Sequence, residues 1–132
     1  MPITVLVADD AEIVRRAITS LLALHPAVQL VGEASNFAQT IQMANDLKPQ
    51  IIVMDIHMSR YDCKPDRGLR SRLNCGSKLL AISVSKDEEA EELATSFGAI
   101  KLLDMMSLYD ELIPAIIQLA SPTVSARAQT AG

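Results

Sequence analysis

Hydrophobic residues along the 132-residue chain fall into two alternating kinds of run. Short stretches such as Ile3-Thr4-Val5-Leu6-Val7-Ala8 and Ile51-Ile52-Val53-Met54 are apolar at nearly every position. A strand with no polar alternation leaves no face for water, so these read as strands buried on both sides. Between them lie segments whose apolar residues recur three and four positions apart, the spacing of one helix face. The pattern predicts strands near 3–8, 28–34, 51–55, 79–84 and 100–103, and helices near 11–24, 36–47, 67–74, 87–97 and 108–119. Five strand-then-helix units in a row imply an α/β domain, with a doubly wound five-stranded parallel sheet covered by helices on both faces. Parallel neighbours must be joined by right-handed crossovers.

The punctuation agrees with that layout. Pro26 follows the first helix, Asn36 is placed to cap the second, and Lys48-Pro49 ends it. In 87–97, Ala90, Leu93, Ala94 and Phe97 share a face, while Asp87, Glu88, Glu89, Glu91 and Glu92 crowd the N-terminal half, where acidic groups favour the helix dipole. The stretch 59–77, with Pro65, Gly68 and Gly76, is the least regular, and 121–132 has no periodic apolar face. We therefore expect one domain over 1–120 and a flexible tail or linker over 121–132.

Composition narrows the class. A hydrophobic content of 49% is ample for one core, and no apolar run approaches the ~20 residues of a bilayer crossing. The start Met1-Pro2-Ile3 lacks the features of a secretory signal, so the expectation is a soluble cytoplasmic protein without membrane contact. Cys63 and Cys75 are too far apart for a CxxC unit and read as free thiols. The net charge of −4 argues against non-specific nucleic-acid binding, although residues 60–78 hold six basic against two acidic side chains. That basic zone reads either as solvated surface or as an edge that attracts an acidic partner.

The chemistry concentrates at strand ends. The first strand runs into Asp9-Asp10, and the third ends in Asp55. Ligands of open parallel sheets bind beyond the carboxyl ends of the strands, where these three carboxylates would meet and repel one another. A hard divalent cation with oxygen ligands relieves that repulsion. Capping the helix over 11–24 is a simpler role that Asp9-Asp10 can also fill. The fourth strand, Leu79-Leu80-Ala81-Ile82, delivers Ser83 at its own carboxyl end.

In this ordered set the sequence resembles the receiver domain of bacterial two-component response regulators. An acidic pair follows the first strand, an aspartate follows the third about 45 positions on, a serine ends the fourth, and Gly98-Ala99 precedes the fifth. The stretches Leu30-Val31-Gly32-Glu33-Ala34-Ser35 and 108–116 look most like receivers of helix-turn-helix transcriptional regulators. The resemblance implies a flavodoxin-like sheet of strand order 2-1-3-4-5. It implies that Asp55 accepts a phosphoryl group and that Asp10 and Asp55 bind Mg²⁺ directly. Asp9 would bind the ion through water, the His57 backbone carbonyl would be a further ligand, and Ser83 would bind a phosphoryl oxygen. It also implies a histidine kinase or phosphotransfer protein as partner, and a switching surface or homodimer contact on the fourth helix, fifth strand and fifth helix. An enzyme acting on other substrates is not implied. The His57 side chain itself reads as an ordinary loop histidine.

Two departures accompany the resemblance. The lysine that follows the fifth strand in the family is Met105 here, about 22 residues after Ser83, and methionine has neither charge nor donor. Lys101 lies about 13 Å back along an extended segment and is no substitute. The family's aromatic switch position is Leu102. The alternative is thus a pseudo-receiver, an interaction module of the same fold that acts without phosphorylation. Other classes fit less well: the Asp-x-Asp of haloacid-dehalogenase phosphatases is missing at Asp55, and Asp9-Asp10-Ala11-Glu12 is anionic where a flavodoxin's first loop cradles phosphate.

Overall fold

The computed structural model describes residues 2–58 and 76–120. The helix expected over 67–74, both cysteines and the tail 121–132 lie outside these residues. Nine regular elements follow in chain order: β1 (Ile3–Ala8), α1 (Glu12–Ala23), β2 (Val28–Ala34), α2 (Phe37–Leu47), β3 (Ile51–Asp55), β4 (Lys78–Ser83), α3 (Glu88–Phe97), β5 (Lys101–Asp104) and α4 (Leu108–Ala120). A single 3-10 turn, Met105–Ser107, links β5 to α4. The strands form one sheet of order β2-β1-β3-β4-β5, parallel throughout, as expected. Two strands are offset from the sequence reading: β4 begins at Lys78 and stops before Val84, and β5 begins at Lys101 and includes Asp104.

Strand alternation divides the apolar residues between two cores. Val5 and Val7, Ile51 and Val53, Leu80 and Ile82, and Leu103 face one side, where they pack with Ile18 and Leu22 of α1 and with Leu108, Leu112 and Ile116 of α4. Leu6 and Ala8, Ile52 and Met54, Leu79 and Ala81, and Leu102 face the other, beneath Phe37 and Ala44 of α2 and Ala90, Ala94 and Phe97 of α3. Each fully buried Leu or Ile contributes about 1.5–3 kcal/mol of transfer free energy, so two filled cores make the sheet the rigid part of the molecule.

Short-range chemistry sets the helix ends. Asn36 accepts a hydrogen bond from Gln39 N at 2.8 Å and Asp87 from Ala90 N at 2.8 Å, each satisfying one orphan donor of a first turn. Lys48 closes α2 in the left-handed region at φ 49°, and Gly98 closes α3 at φ 86°, where a glycine has no Cβ to clash. Lys78 Nζ donates to the Leu119 carbonyl at 2.6 Å, which ties the start of β4 to the end of α4 with a cation where the helix dipole favours one. Among the described residues no helix is long and apolar enough to cross a membrane.

Candidate functional site

The carboxyl ends of β1 and β3 build the acidic cluster. Ala8 pairs with Met54, so the next residue on each strand, Asp9 and Asp55, enters the same end of the sheet, and Asp10 follows on the loop to α1. One carboxylate oxygen from each of Asp9, Asp10 and Asp55 lies within 4.8 Å of the other two. Their exposures differ: Asp9 is buried at 1%, Asp55 is half-buried and Asp10 is exposed.

Backbone donors fix the two inner carboxylates. Asp9 Oδ1 accepts from Ala11 N at 2.8 Å, and Asp55 Oδ1 accepts from His57 N at 2.9 Å. Arg15 Nη1 donates to the Asp9 carbonyl at 2.8 Å, and Arg15 Nε donates to Glu33 Oε1 at 3.2 Å, so an arginine that the sequence reading did not single out braces the first loop. Its cue was the acidic Glu33 in the strand beside β1, a pairing that only the sheet order makes visible. The N-cap of α1 is Ala11, with no side-chain cap, so Asp9-Asp10 do not cap that helix in the usual sense.

Burial pushes the Asp9 carboxyl up from 3.8 to about 7, reinforced by the charges of Asp55 and Asp10 and opposed by the Ala11 amide and Arg15. Asp55 is also raised, by burial first and by Asp10, while the His57 amide and imidazole oppose the rise. Asp9 Oδ2 is buried without a hydrogen-bond partner. An orphaned carboxylate oxygen inside a cluster of three is a poor arrangement for the protein alone and a suitable one for a hard cation that takes oxygen ligands. The donor set therefore fits Mg²⁺.

Ser83, fully buried at the end of β4, borders the cluster. Its Oγ lies 3.3 Å from Ser85 N and 3.4 Å from His57 Nε2. His57, read from the sequence as an ordinary loop histidine, lies in the loop after β3, and its ring meets Ser83 because Asp55 pairs with Ile82 across β3 and β4 and the loops that follow converge.

The expected substitution after β5 has a physical counterpart. Met105 packs against the α1 and α4 core and lines an apolar groove of about 380 Å³ with Ile13, Val14, Ile18, Leu108 and Tyr109. Lys101 is exposed at the start of β5, at the opposite end from the acidic cluster, as the strand geometry required. Lys86 lines a separate hollow with Glu91, Thr95, Lys101 and Leu102.

Known proteins resemble this chain in sequence and in fold. The nitrate/nitrite response regulator protein NarL of Escherichia coli K12 is 29% identical over 120 residues, 91% of this chain and 56% of NarL. A protein-glutamate methylesterase/protein-glutamine glutaminase of Alkalilimnicola ehrlichii is 44% identical over 62 residues, 47% of this chain and 16% of that protein. The chain thus spans about half the length of the first and about a sixth of the second. In three dimensions the response regulator domain of Thermotoga maritima CheB has the same fold, with a TM-score of 0.78 over 91% of this chain and 97% of that one at 22% identity. The family description "response regulator receiver domain" matches residues 5–115, from the middle of β1 into α4, and the chain belongs to that family.

Proposed function

We propose that this receiver domain is a phosphoacceptor switch in which Asp55 takes a phosphoryl group. The observation that carries the reading is the meeting of Asp9, Asp10 and Asp55 within 4.8 Å, with Asp9 Oδ2 buried and unpartnered. Three mutually repelling carboxylates have no evident purpose in a fold that does not bind a cation. Asp10 and Asp55 would hold Mg²⁺ directly, Asp9 through water, and the His57 carbonyl would complete the protein ligands. When bound, the ion supplies positive charge that offsets the repulsion between a carboxylate nucleophile and the incoming phosphoryl oxygens.

The remaining work falls to the chain. An Asp55 oxygen forms the new bond to phosphorus as the bond to the donor's leaving atom breaks, and the leaving group departs with that electron pair. The Asp9 carboxyl and the His57 amide hold the nucleophile's surroundings, and Ser83 Oγ–H binds a phosphoryl oxygen. No separate base is required, because the ionised form of Asp55 is itself the nucleophile. The donor would be a histidine kinase or phosphotransfer protein in the cytoplasm. The signal would leave through the surface formed by α3, β5 and α4, by docking or by homodimer contact. Catalysis would extend no further than the domain's own phosphorylation and dephosphorylation. Output through a helix-turn-helix domain, as in the regulators that the sequence resembles, is proposed here only for a longer regulator that would contain this domain.

One observation favours a second reading. Met105 packs into an apolar groove where receivers carry a lysine, and a domain without that cation can act as a pseudo-receiver whose surface binds partners without phosphorylation. Intact-mass analysis after incubation with Mg²⁺ and acetyl phosphate separates the two. The phosphoacceptor reading expects one added phosphoryl group that is absent in Asp55→Asn. An unmodified parent that gains the group only after Met105→Lys would establish the pseudo-receiver instead.

A further inference from the structure

The loops after β3 and β4 bring one imidazole onto the hydroxyl assigned above to a phosphoryl oxygen. His57 Nε2 stands 3.4 Å from Ser83 Oγ, which also receives the Ser85 amide at 3.3 Å. A serine hydroxyl has two acceptor lone pairs and one proton, and a backbone N–H can only donate. If Nε2 carries hydrogen, Ser83 Oγ accepts from both neighbours and keeps its own proton for a third oxygen. If Nε2 is bare, the serine O–H donates to it, and neither Nε2 nor Ser83 Oγ has a hydrogen left for a third oxygen. Only the first tautomer has a second hydrogen to give there, once a bound phosphoryl oxygen, the stronger acceptor, replaces Ser83 Oγ as the acceptor of Nε2–H.

The surroundings point the same way. The imidazole is near enough to Asp55 to oppose the effect of burial on that carboxyl. Met105 has no donor and packs in the α1 and α4 groove, Lys86 lines another hollow, and Lys101 stands at the far end of β5. We propose that the His57 imidazole, through Nε2–H, is the second donor to a phosphoryl group on Asp55, sharing with Ser83 a task for which Met105 carries no group. The inference rests on the phosphoacceptor reading and adds a binding role for the His57 side chain.

Beryllofluoride with Mg²⁺ stands in for a phosphoryl group on a carboxylate, and its bound fluorines are visible by ¹⁹F NMR. The chain has two histidines, so in ¹⁵N-labelled protein His25 serves as the internal control for His57. We expect bound ¹⁹F signals in the parent, an Nε2–H tautomer at His57, and a ¹⁵N shift on binding at His57 but not at His25. His57→Phe keeps the ring and removes the donor, and should weaken beryllofluoride binding roughly ten-fold, the effect of losing a hydrogen bond to a charged group. His57→Gln restores a donor and should recover part of that loss. Mg²⁺ affinity measured alone should fall by less than beryllofluoride affinity in His57→Phe. Equal falls in the two would mean a loosened loop and would overturn the inference, as would parent-like beryllofluoride binding by His57→Phe. Absence of bound beryllofluoride in the parent, or its persistence in Asp55→Asn, would overturn the phosphoacceptor reading together with this one.

Discussion

Asp9 and Asp55 stand side by side because Ala8 and Met54 pair across β1 and β3, so the register of two parallel strands places two carboxyl groups together at one end of the sheet. The strands themselves are buried on both faces, and neither can slide by one residue without moving its core side chains to the wrong side. Close-packed apolar residues thus hold in place a charge arrangement that is unfavourable by itself. Asp9, with one oxygen orphaned, bears most of that strain.

In the absence of metal, stability should depend on pH through Asp9. Folding raises the Asp9 carboxyl from 3.8 to about 7, so between those values the folded state holds a proton that the unfolded chain has released. Stability is then fully present below about pH 4 and declines as pH rises toward 7, by at most about 1.4 kcal/mol per pH unit from this group. Asp9→Asn keeps an oxygen for the Ala11 amide and removes the titration. In urea unfolding with chelator, the stability of Asp9→Asn relative to the parent should grow from pH 5 to pH 7.5. A difference that stays flat would mean that Asp9 ionises as readily in the fold as in the unfolded chain.

Mg²⁺ should act on the same linkage. Cation binding competes with the proton on Asp9, so the rise in thermal midpoint on adding Mg²⁺ should be clear at pH 7.5 and small at pH 5. Full occupancy at one hundred times the dissociation constant corresponds to about 2.7 kcal/mol of stabilisation. Asp10→Asn and Asp55→Asn should each reduce the rise at pH 7.5. An equal rise at both pH values in all three proteins would place the ion elsewhere.

Much of this was readable along the chain, for identifiable reasons. The unbroken apolar runs announce buried parallel strands, and a polar side chain at the end of such a run has nowhere to go but the sheet's edge, so the sequence alone locates Asp9, Asp55 and Ser83 at strand ends. Asn36 is a legible cap because the relevant hydrogen bond spans only three residues; Asp87, expected inside the helix over 87–97, caps it by a bond of the same span. The contact between His57 and Ser83 spans 26 residues and depends on how two loops leave paired strands, which periodicity does not encode. Arg15 was missed likewise, since its partners Asp9 and Glu33 become neighbours only through the order of β2 and β1.

Packing beneath α2 supplies a further prediction. A Cβ added at Gly32 in β2 would stand 2.7 Å from Met43 Cε, 3.0 Å from Leu47 Cδ1 and 3.3 Å from Leu6 Cδ1. The nearest of these is the free end of a flexible side chain, so Gly32→Ala should cost about 1–3 kcal/mol and leave the protein folded. Met43→Ala makes room for the same Cβ. The double variant should therefore be more stable than the sum of the single effects predicts. Simple additivity in denaturant unfolding would show that Met43 is not what the new methyl meets.

Met105→Lys should separate the two effects of charge at the position after β5. Met105 lies along an apolar groove lined by Ile13, Val14, Leu108 and Tyr109, and a lysine stem can cover the same surface while its ammonium reaches water or the acidic cluster. The substitution should therefore cost little stability, within about 1 kcal/mol. Its effect on the site should be larger and of opposite sign for the two ligands. An ammonium beside Asp9, Asp10 and Asp55 repels a divalent cation, which should weaken Mg²⁺ binding, and it donates to a phosphoryl oxygen, which should raise the fraction phosphorylated by acetyl phosphate about ten-fold at low donor concentration. Thermal midpoints with and without Mg²⁺, read beside intact mass, measure both. If neither quantity changes, the introduced ammonium stays in the groove, and the packing of position 105 rather than its charge is what sets this receiver apart.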